Sequence, residues 1–204
     1  MNNLRLSLLL VVSLASATAS AATLNVVNGQ LLGAQGVEID GAIFDVAFLD
    51  GTCISLFSGC DQNADFAIVD FSQAKVAAQA LLDQVFLDVP GNGEFDSFSA
   101  LTNGCSDSFI CTAYIPFGTG GAFFVAASAT NVASIVEDLT GTPDSVDPDP
   151  VGPFLATVST SGDQATTFAV FTLVTPAPVP LPASLPLLAA ALACIRWRKG
   201  RRVN

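Results

Sequence analysis

Carboxylates dominate the side chains of this sequence that could act in catalysis or bind a ligand. The chain has 18 Asp and Glu, 7 Lys and Arg, and no histidine. Because Ser–His–Asp and Cys–His arrangements need an imidazole base, both nucleophilic mechanisms are excluded. Paired carboxylates can hydrolyse glycosides, but among 18 acids some pair will lie at a suitable separation by chance. We therefore assign no catalytic residue and expect the protein not to be an enzyme.

Oxygen-bearing side chains at alternating positions suggest one metal site, for calcium. Asp61, Asn63 and Asp65 begin like the loop of an EF-hand. The pattern then departs, because Phe66 replaces the required glycine and Ser72 replaces the bidentate Glu. Two alternatives remain, a weak calcium site or solvated acidic turns, and the sequence favours the turns. We predict no other cofactor.

Cys53, Cys60, Cys105 and Cys111 lie in the middle of the chain, and an even number favours disulfides. Of the three pairings, we favour Cys53–Cys60 and Cys105–Cys111, since each closes a short loop rich in turn residues. The alternatives are four reduced cysteines in a core, or zinc, which lacks both a histidine ligand and C-x-x-C spacing. Disulfides would indicate an oxidising compartment.

The N-terminus has the pattern of a secretory signal peptide spanning residues 1–21. Arg5 precedes an apolar run over Leu6–Leu14, and Ala19-Ser20-Ala21 supplies the small residues that signal peptidase needs. The run is shorter than the roughly 20 residues that span a bilayer. We expect cleavage after Ala21, with Ala19 as the alternative, and export of the chain from Ala22 onward.

Residues 22–175 are expected to form one acidic exported domain. One lysine, Lys75, stands against all 18 acids there, a formal charge of −17. Such a field repels nucleic acid and anionic lipid, so we expect no nucleic-acid partner. Lys75 could in principle act as a base, but solvation or a salt bridge is the simpler role.

The elements that would position these residues are mostly strands. Asn28-Gly29 and Asp40-Gly41 predict two tight hairpins, and Phe44, Val46 and Phe48 alternate as in a half-buried strand. Further strands are predicted at Phe109–Pro116, Ala122–Ala127, Phe154–Thr160 and Thr166–Val174. The proline-containing segment Asp144–Pro153 is predicted to lack regular structure.

One amphipathic helix is predicted after Ser72, the expected N-cap. Lys75, Gln79 and Asp83 mark its polar side, and Pro90 follows its end. The residues expected to be buried are Ala74, Ala78, Leu81, Leu82, Val85 and Phe86. The predicted class is α+β: a mainly antiparallel β-sheet with one main helix, besides the signal peptide and a detached C-terminal transmembrane helix.

Residues 176–204 have a different composition, with three consecutive parts. A proline-rich tether leads into a short apolar helix at Leu185–Ile195, and a basic cluster comes next. A basic cluster beside an apolar segment stays cytoplasmic, so the precursor is expected in the inner membrane with its acidic domain outside the cytoplasm. The basic residues are Arg196, Arg198, Lys199, Arg201 and Arg202.

Val179-Pro180-Leu181-Pro182-Ala183, followed by an apolar helix and an arginine cluster, resembles the VPLPA variant of the PEP-CTERM sorting domain. The resemblance implies that an exosortase cuts near this motif and delivers the mature form to the envelope, cell surface or extracellular matrix, often with exopolysaccharide and biofilm. An ordinary single-span anchor is the alternative.

The middle of the chain is also similar to small PEP-CTERM proteins of unknown function, in Asp45–Cys53, Leu56–Cys60, Ala80–Phe86, Gly104-Cys105 and Cys111.

These patterns leave two functional hypotheses. The first is a non-catalytic surface or matrix protein sorted by exosortase. The second is an envelope enzyme that acts on polysaccharide through carboxylates, which needs a cleft with converging acids and aromatic walls. Tyr114 is the only polar aromatic residue between Ala22 and Thr175, where there is no Trp, and this favours the first hypothesis.

Overall fold

The computed structural model of this protein describes residues 21–175. These residues contain three α-helices and ten strands. The helices are α1 (Cys53–Leu56), α2 (Phe71–Gln84) and α3 (Ser134–Thr140). The strands are β1 (Thr23–Val27), β2 (Gln30–Ile39), β3 (Ala42–Leu49), β4 (Asp88–Val89), β5 (Gly93–Glu94), β6 (Ile110–Gly120), β7 (Phe123–Val132), β8 (Ser145–Val146), β9 (Val151–Leu155) and β10 (Thr166–Leu173).

The first three strands form a meander through the two predicted hairpins. Asn28 and Gly29 have φ angles of 52° and 81°, and Asp40 and Gly41 have 50° and 78°. Two positive φ angles in succession match the right-handed twist of the flanking strands. Both hairpins are confirmed, and β1–β2 and β2–β3 pair antiparallel.

The main sheet runs in the order β1-β2-β3-β10-β6-β7-β8, and β9 also pairs with β7. Every pair in it is antiparallel except β10 with β6. Strands β4 and β5 form a separate small ribbon. The prediction of a mainly antiparallel sheet with one main helix is confirmed for the described residues.

Helix α2 begins two residues earlier than predicted. Asp70, not Ser72, is the N-cap: its backbone is extended, and Oδ1 accepts a hydrogen bond from the Gln73 N–H at 2.9 Å. Ser72 instead donates its hydroxyl to Asp70 Oδ1 at 2.5 Å. A carboxylate at this position satisfies an amide that the first helical turn leaves unpaired.

The burial of α2 follows the predicted stripe with one correction. Ala74, Ala78 and Leu81 are buried, and Lys75 and Gln79 are exposed. Leu82 is only half-buried and packs at the margin of the core. Val85 and Phe86 are buried as predicted but lie beyond the last helical residue, where the chain leaves the helix.

The sheet curls around α2, which contacts β2 near one edge and β7 and β8 near the other. The inner face of the curl is filled by aliphatic and aromatic side chains from α2, the long strands and the segments that connect them. Its largest fully buried members are Phe48, Phe86, Phe95, Leu31, Ile39, Ile68, Leu81 and Ile115.

The outer face carries a second, smaller core under the segment that contains α1. It combines Cys53 and Cys60 with Phe57, Phe66, Phe124, Ala126, Ala156 and Phe168. Strand alternation separates the two cores: in β10, Phe168 faces outward while Ala169 and Phe171 face the helix.

Two expectations about the later part of the chain were wrong. Asp144–Pro153 contains β8 and the start of β9, and the strand predicted at Phe154–Thr160 ends at Leu155. Both strands are short and lie at the sheet edge beside β7. An edge strand tolerates Pro153, because the missing N–H can face away from the ladder.

The signal peptide up to residue 20, the tether with its Val179–Ala183 motif, the Leu185–Ile195 helix and the basic cluster lie outside the described residues. Within residues 21–175, no helix is both long and apolar enough to cross a bilayer.

Candidate functional site

Both predicted disulfides are present. Cys53–Cys60 has an S–S distance of 2.00 Å and a Cα–Cα distance of 5.6 Å. Cys105–Cys111 has corresponding distances of 2.03 Å and 5.7 Å. All four cysteines are buried, so the pairing chosen from loop length is confirmed.

Local structure brings Cys53 and Cys60 together on the outer face. Thr52 caps α1 by accepting from the Ser55 N–H at 3.2 Å. After α1, Ser58 and Cys60 have positive φ angles of 52° and 55°, which turn the chain back on itself within a few residues. The sequence placed a disulfide here but did not predict the short helix.

The bridged loop holds the segment from Ala156 to Asp163 against the outer face. The Ile54 N–H donates to Ala156 O at 3.2 Å, and the Thr160 N–H donates to Gly51 O at 3.0 Å. The Thr160 hydroxyl also donates to Asp50 Oδ1 at 2.8 Å. These contacts join parts of the chain that are about a hundred residues apart in sequence.

Between this segment and the sheet lies a pocket of about 230 Å³, here named the aromatic pocket. Strands β6, β7, β9 and β10 supply its aromatic walls, and the segment after β9 supplies the rest. Its lining residues are Tyr114, Phe124, Phe154, Leu155, Val158, Ser159, Thr160, Gly162, Asp163, Thr166 and Phe168.

Four aromatic rings lie at this pocket, and each of them contacts two of the others. Ring centroids lie 5.1 Å apart for Tyr114–Phe154, 5.4 Å for Phe154–Phe124, 5.6 Å for Phe124–Phe168 and 6.4 Å for Phe168–Tyr114. These spacings are within the favourable range for tilted aromatic pairs. Phe124 and Phe168 are buried, whereas Tyr114 and Phe154 are half-buried and retain accessible surface.

Two carboxylates, those of Asp163 and Asp147, act on the one hydroxyl in this aromatic group. Burial raises the pKa of Tyr114 above its ordinary value, and the charges of Asp163 and Asp147 raise it further. Asp163 lines the pocket and accepts from the Ala165 N–H at 3.0 Å. Asp147 accepts from the hydroxyl of Ser128, the residue paired with Tyr114 across the β6–β7 ladder.

A second group of acids, here named the acidic cluster, lies beyond the end of β7. It consists of Asp88, Asp96, Glu137 and Asp144. Asp144 accepts from the Val132 N–H at 2.6 Å, and its own N–H donates to Glu137 at 3.1 Å. The carboxyls of Asp96 and Asp144 are near neighbours, and each contributes to the pKa of the other.

Burial and neighbouring charge raise both of these pKa values. Burial raises the pKa of Asp144 to about 6, and the negative charges of Asp96 and Glu137 add to the rise. Burial likewise raises the pKa of Asp96, with Asp88 and Glu137 as the nearby charges. Below a pH of about 6 the proton on Asp144 relieves part of this repulsion.

The predicted calcium ligands are held in a turn. Asp65 accepts from the Asp61 and Gln62 N–H groups at 3.0 and 3.1 Å. Asn63 Oδ1 accepts from the Thr119 N–H at 3.0 Å. Within residues 21–175, no group of three or more His, Cys, Asp or Glu is arranged to hold a metal ion. The calcium site stays a prediction.

Lys75 is exposed on α2, as predicted, and its ammonium lies 3.5 Å from Pro148 O. It neither lines the aromatic pocket nor belongs to the acidic cluster.

The sequence pointed to Tyr114 but not to its partners in the aromatic pocket, Phe124, Phe154, Phe168 and Asp163. The alternation of outward residues in β6 and β10 was the available signal, but it does not reveal which strands become neighbours.

No protein-family model matches this chain, and no curated protein and no solved structure matches it.

Proposed function

We propose that this chain is a non-catalytic cell-surface or extracellular-matrix protein, exported through residues 1–21 and sorted by an exosortase acting at Val179–Ala183. The observation that carries the export half is the pair of disulfides inside the acidic domain. Such bridges form and persist in oxidising compartments and are rare in the cytosol. The sorting half rests on the resemblance of the C-terminal residues to the VPLPA signal.

Association with exopolysaccharide belongs to the same proposal. The domain carries a formal charge of −17 and one lysine, so it does not attract an acidic polymer by simple charge. An uncharged or cationic polymer would not be repelled by this charge, and divalent ions could bridge the domain to an acidic polymer.

A non-catalytic role is supported by how the acids are used. Asp65 and Asp144 accept backbone hydrogen bonds at 3.0 and 2.6 Å, which is a structural use of their carboxylates. The whole chain lacks histidine, and the exposed Lys75 lies outside both groups described above. None of these residues is arranged as a nucleophile beside its base.

The second candidate function is a carboxylate-based hydrolase of the envelope, and the Asp96–Asp144 pair favours it. Raised pKa values are a feature of catalytic carboxylates. However, Asp144 accepts a backbone hydrogen bond from the Val132 N–H at 2.6 Å, which is a structural use of that carboxylate. Neither residue lines the aromatic pocket.

Mass spectrometry of surface protein from cells with and without an active exosortase tests the proposal. We expect chains that begin at Ala22, end near Val179–Ala183 and carry four oxidised cysteines. Without exosortase, the basic C-terminus should remain. Replacing Pro180 and Pro182 with Ala should block cutting, whereas replacing Pro176 and Pro178, in the tether outside the motif, should not.

Mature chains that still end at Asn204 beside an active exosortase would replace sorting by a plain anchor. Reduced cysteines in surface-located protein would remove the support for export drawn from the disulfides. Hydrolysis of envelope polysaccharide that is lost in Asp144→Asn would favour the second candidate.

A further inference from the structure

The aromatic pocket combines accessible π-faces with negative charge, and none of the residues within 21–175 that line it is basic. We propose that it is a binding site for a small organic ammonium ion: a cationic nitrogen on a compact apolar body. This inference concerns the ligand of the folded domain and does not depend on how the chain is sorted.

The rings provide the attraction for the cation. A cation within about 6 Å of an aromatic centroid is attracted by the negative face of the ring, and more strongly where water is excluded. Tyr114 and Phe154 are half-buried neighbours with centroids 5.1 Å apart, so both can contact one bound group. Phe124 and Phe168 lie buried behind them as a rigid apolar floor.

The charged residues near the pocket indicate the sign of the charge that a ligand should carry. Asp163 is the one acidic residue among the described residues of the lining, and Asp147 acts on Tyr114 from the neighbouring strand edge. Burial is the largest cause of the raised pKa of Tyr114 and disfavours a charge of either sign, whereas the smaller contributions of Asp163 and Asp147 come from negative charge, which attracts a cation. An anionic ligand would meet these carboxylates with no basic partner among the lining residues that the structure describes.

The volume of the pocket and the apolar residues at its edge indicate which class of cation it would bind. A pocket of about 230 Å³ is smaller than the roughly 300–1,000 Å³ typical of drug-sized ligands. Leu155 and Val158 remain 45% and 58% exposed at its edge and can cover an apolar body. A bare metal ion would leave these surfaces unused, whereas a methylated or alkylated ammonium contacts rings, rim and carboxylate together.

The sharpest probe is a pair of ligands that differ only in charge. Choline and 3,3-dimethylbutan-1-ol have nearly the same shape, with a cationic nitrogen replaced by carbon. The chain contains a single tyrosine, so fluorotyrosine labelling places one 19F NMR resonance in the pocket. Titration of the disulfide-bonded protein isolated from cells then reports binding at Tyr114.

We expect a saturable shift with choline, and binding of the neutral isostere weaker by about tenfold or more. Asp163→Asn preserves the acceptor for the Ala165 N–H and should weaken choline several-fold without changing the isostere. Asp83→Asn is the matched control, because it removes one charge from the exposed side of α2 on the opposite face.

Phe154→Leu tests the ring separately from the charge, with exposed Phe109→Leu as its control. It should weaken choline more than the isostere, because the leucine keeps apolar contact but has no π-face. A single sharp 19F resonance in each free variant, displaced from that of the unfolded protein, confirms that the pocket remains folded.

Equal affinity for choline and its isostere would overturn the proposal, as would an Asp163→Asn variant that binds choline unchanged. The absence of any saturable shift would also overturn it. Glucose is included as an uncharged sugar, and tighter binding of glucose than of choline would assign the pocket to a sugar instead.

Discussion

The inner and outer faces of the sheet are covered in different ways. On the inner face, α2 lies in the curl of the sheet and buries a continuous core from Leu31 to Phe171. On the outer face, a short disulfide-closed loop and the segment after β9 cover a few aromatic residues and leave the aromatic pocket open. The inner face therefore provides most of the buried apolar surface, while the outer face presents a surface suited to a ligand.

This difference has a physical origin in the kind of element that covers each face. A four-turn helix presents a regular stripe of side chains, so a curved sheet can close around it without gaps. A loop of about eight residues has no regular stripe, and a covalent bridge supplies the constraint that packing alone does not. Irregular cover is the reason that room for a pocket remains beside the Cys53–Cys60 loop.

The largest expected effect is on the inner face. Leu81→Ala should lower the free energy of unfolding by about 2–5 kcal/mol, because Leu81 is fully buried and its loss leaves a cavity. Half-buried Leu82→Ala is the matched control and should cost less. Chemical denaturation measures both. An equal or larger loss from Leu82→Ala would mean that α2 buries a different face from the one described.

Opening the disulfide of the outer face should have the next largest effect. Replacing Cys53 and Cys60 with Ala removes a bridge with a sequence separation of 7, which the chain-entropy relation values at about 2–3 kcal/mol. The loss should be accompanied by faster hydrogen exchange in residues 51–66 while α2 stays protected.

Replacing Cys105 and Cys111 with Ala is the control for that experiment. Its sequence separation is 6, so the loss of stability should be similar, but exchange in residues 51–66 should change little. If both double variants loosen the outer face equally, the Cys53–Cys60 loop has no special role in covering it.

The smallest expected effect is a pH dependence at the margin of the inner core. Asp96 follows Phe95, a fully buried member of that core, and its negative charge contributes to the raised pKa of Asp144. The folded pKa of Asp144 is about 6, above its ordinary value of 3.8. The native state therefore binds more protons than the unfolded state between these pH values, so this group's contribution to stability falls as pH rises from about 4 to 6.

Asp144→Asn should accordingly be more stable than the unmodified protein at a pH of about 7–8, with the difference shrinking toward a pH of about 4. The amide keeps an acceptor for the Val132 N–H and can donate to Asp96 without a charge. Thermal unfolding across this pH range provides the measurement, and Asp83→Asn is the control, since Asp83 is exposed on α2. A destabilised Asp144→Asn at the alkaline end of the range would show that the negative charge is needed there.

Local features were the most predictable from the sequence. The Asn28-Gly29 and Asp40-Gly41 hairpins depend only on positive φ angles that these residues adopt readily. The cysteine pairing depended on loop length, which is also local. The start of α2 was missed by two residues because Ser72 and Asp70 are both good N-caps, and backbone conformation decides between them.

Strands that are defined by their partners were less predictable. The Val151–Leu155 strand contains Gly152 and Pro153, which argue against a strand when considered alone. It forms because β7 offers an unpaired edge, with Phe124 opposite Phe154. Val158 and Thr160 were expected to continue that strand, but hydrogen bonds between Thr160 and the loop at Gly51 fold the chain away from the edge.

The sequence by itself determined an acidic domain with two local disulfides and two tight hairpins, because these properties depend on residue type and short spacing. Only the tertiary structure decided where the aromatic pocket and the acidic cluster lie. Tyr114 and Phe168 become neighbours through the parallel β6–β10 pairing, and Asp96 meets Asp144 although the two are far apart in sequence. Contacts between distant residues depend on the order in which strands assemble, and periodicity along one strand does not specify its neighbour.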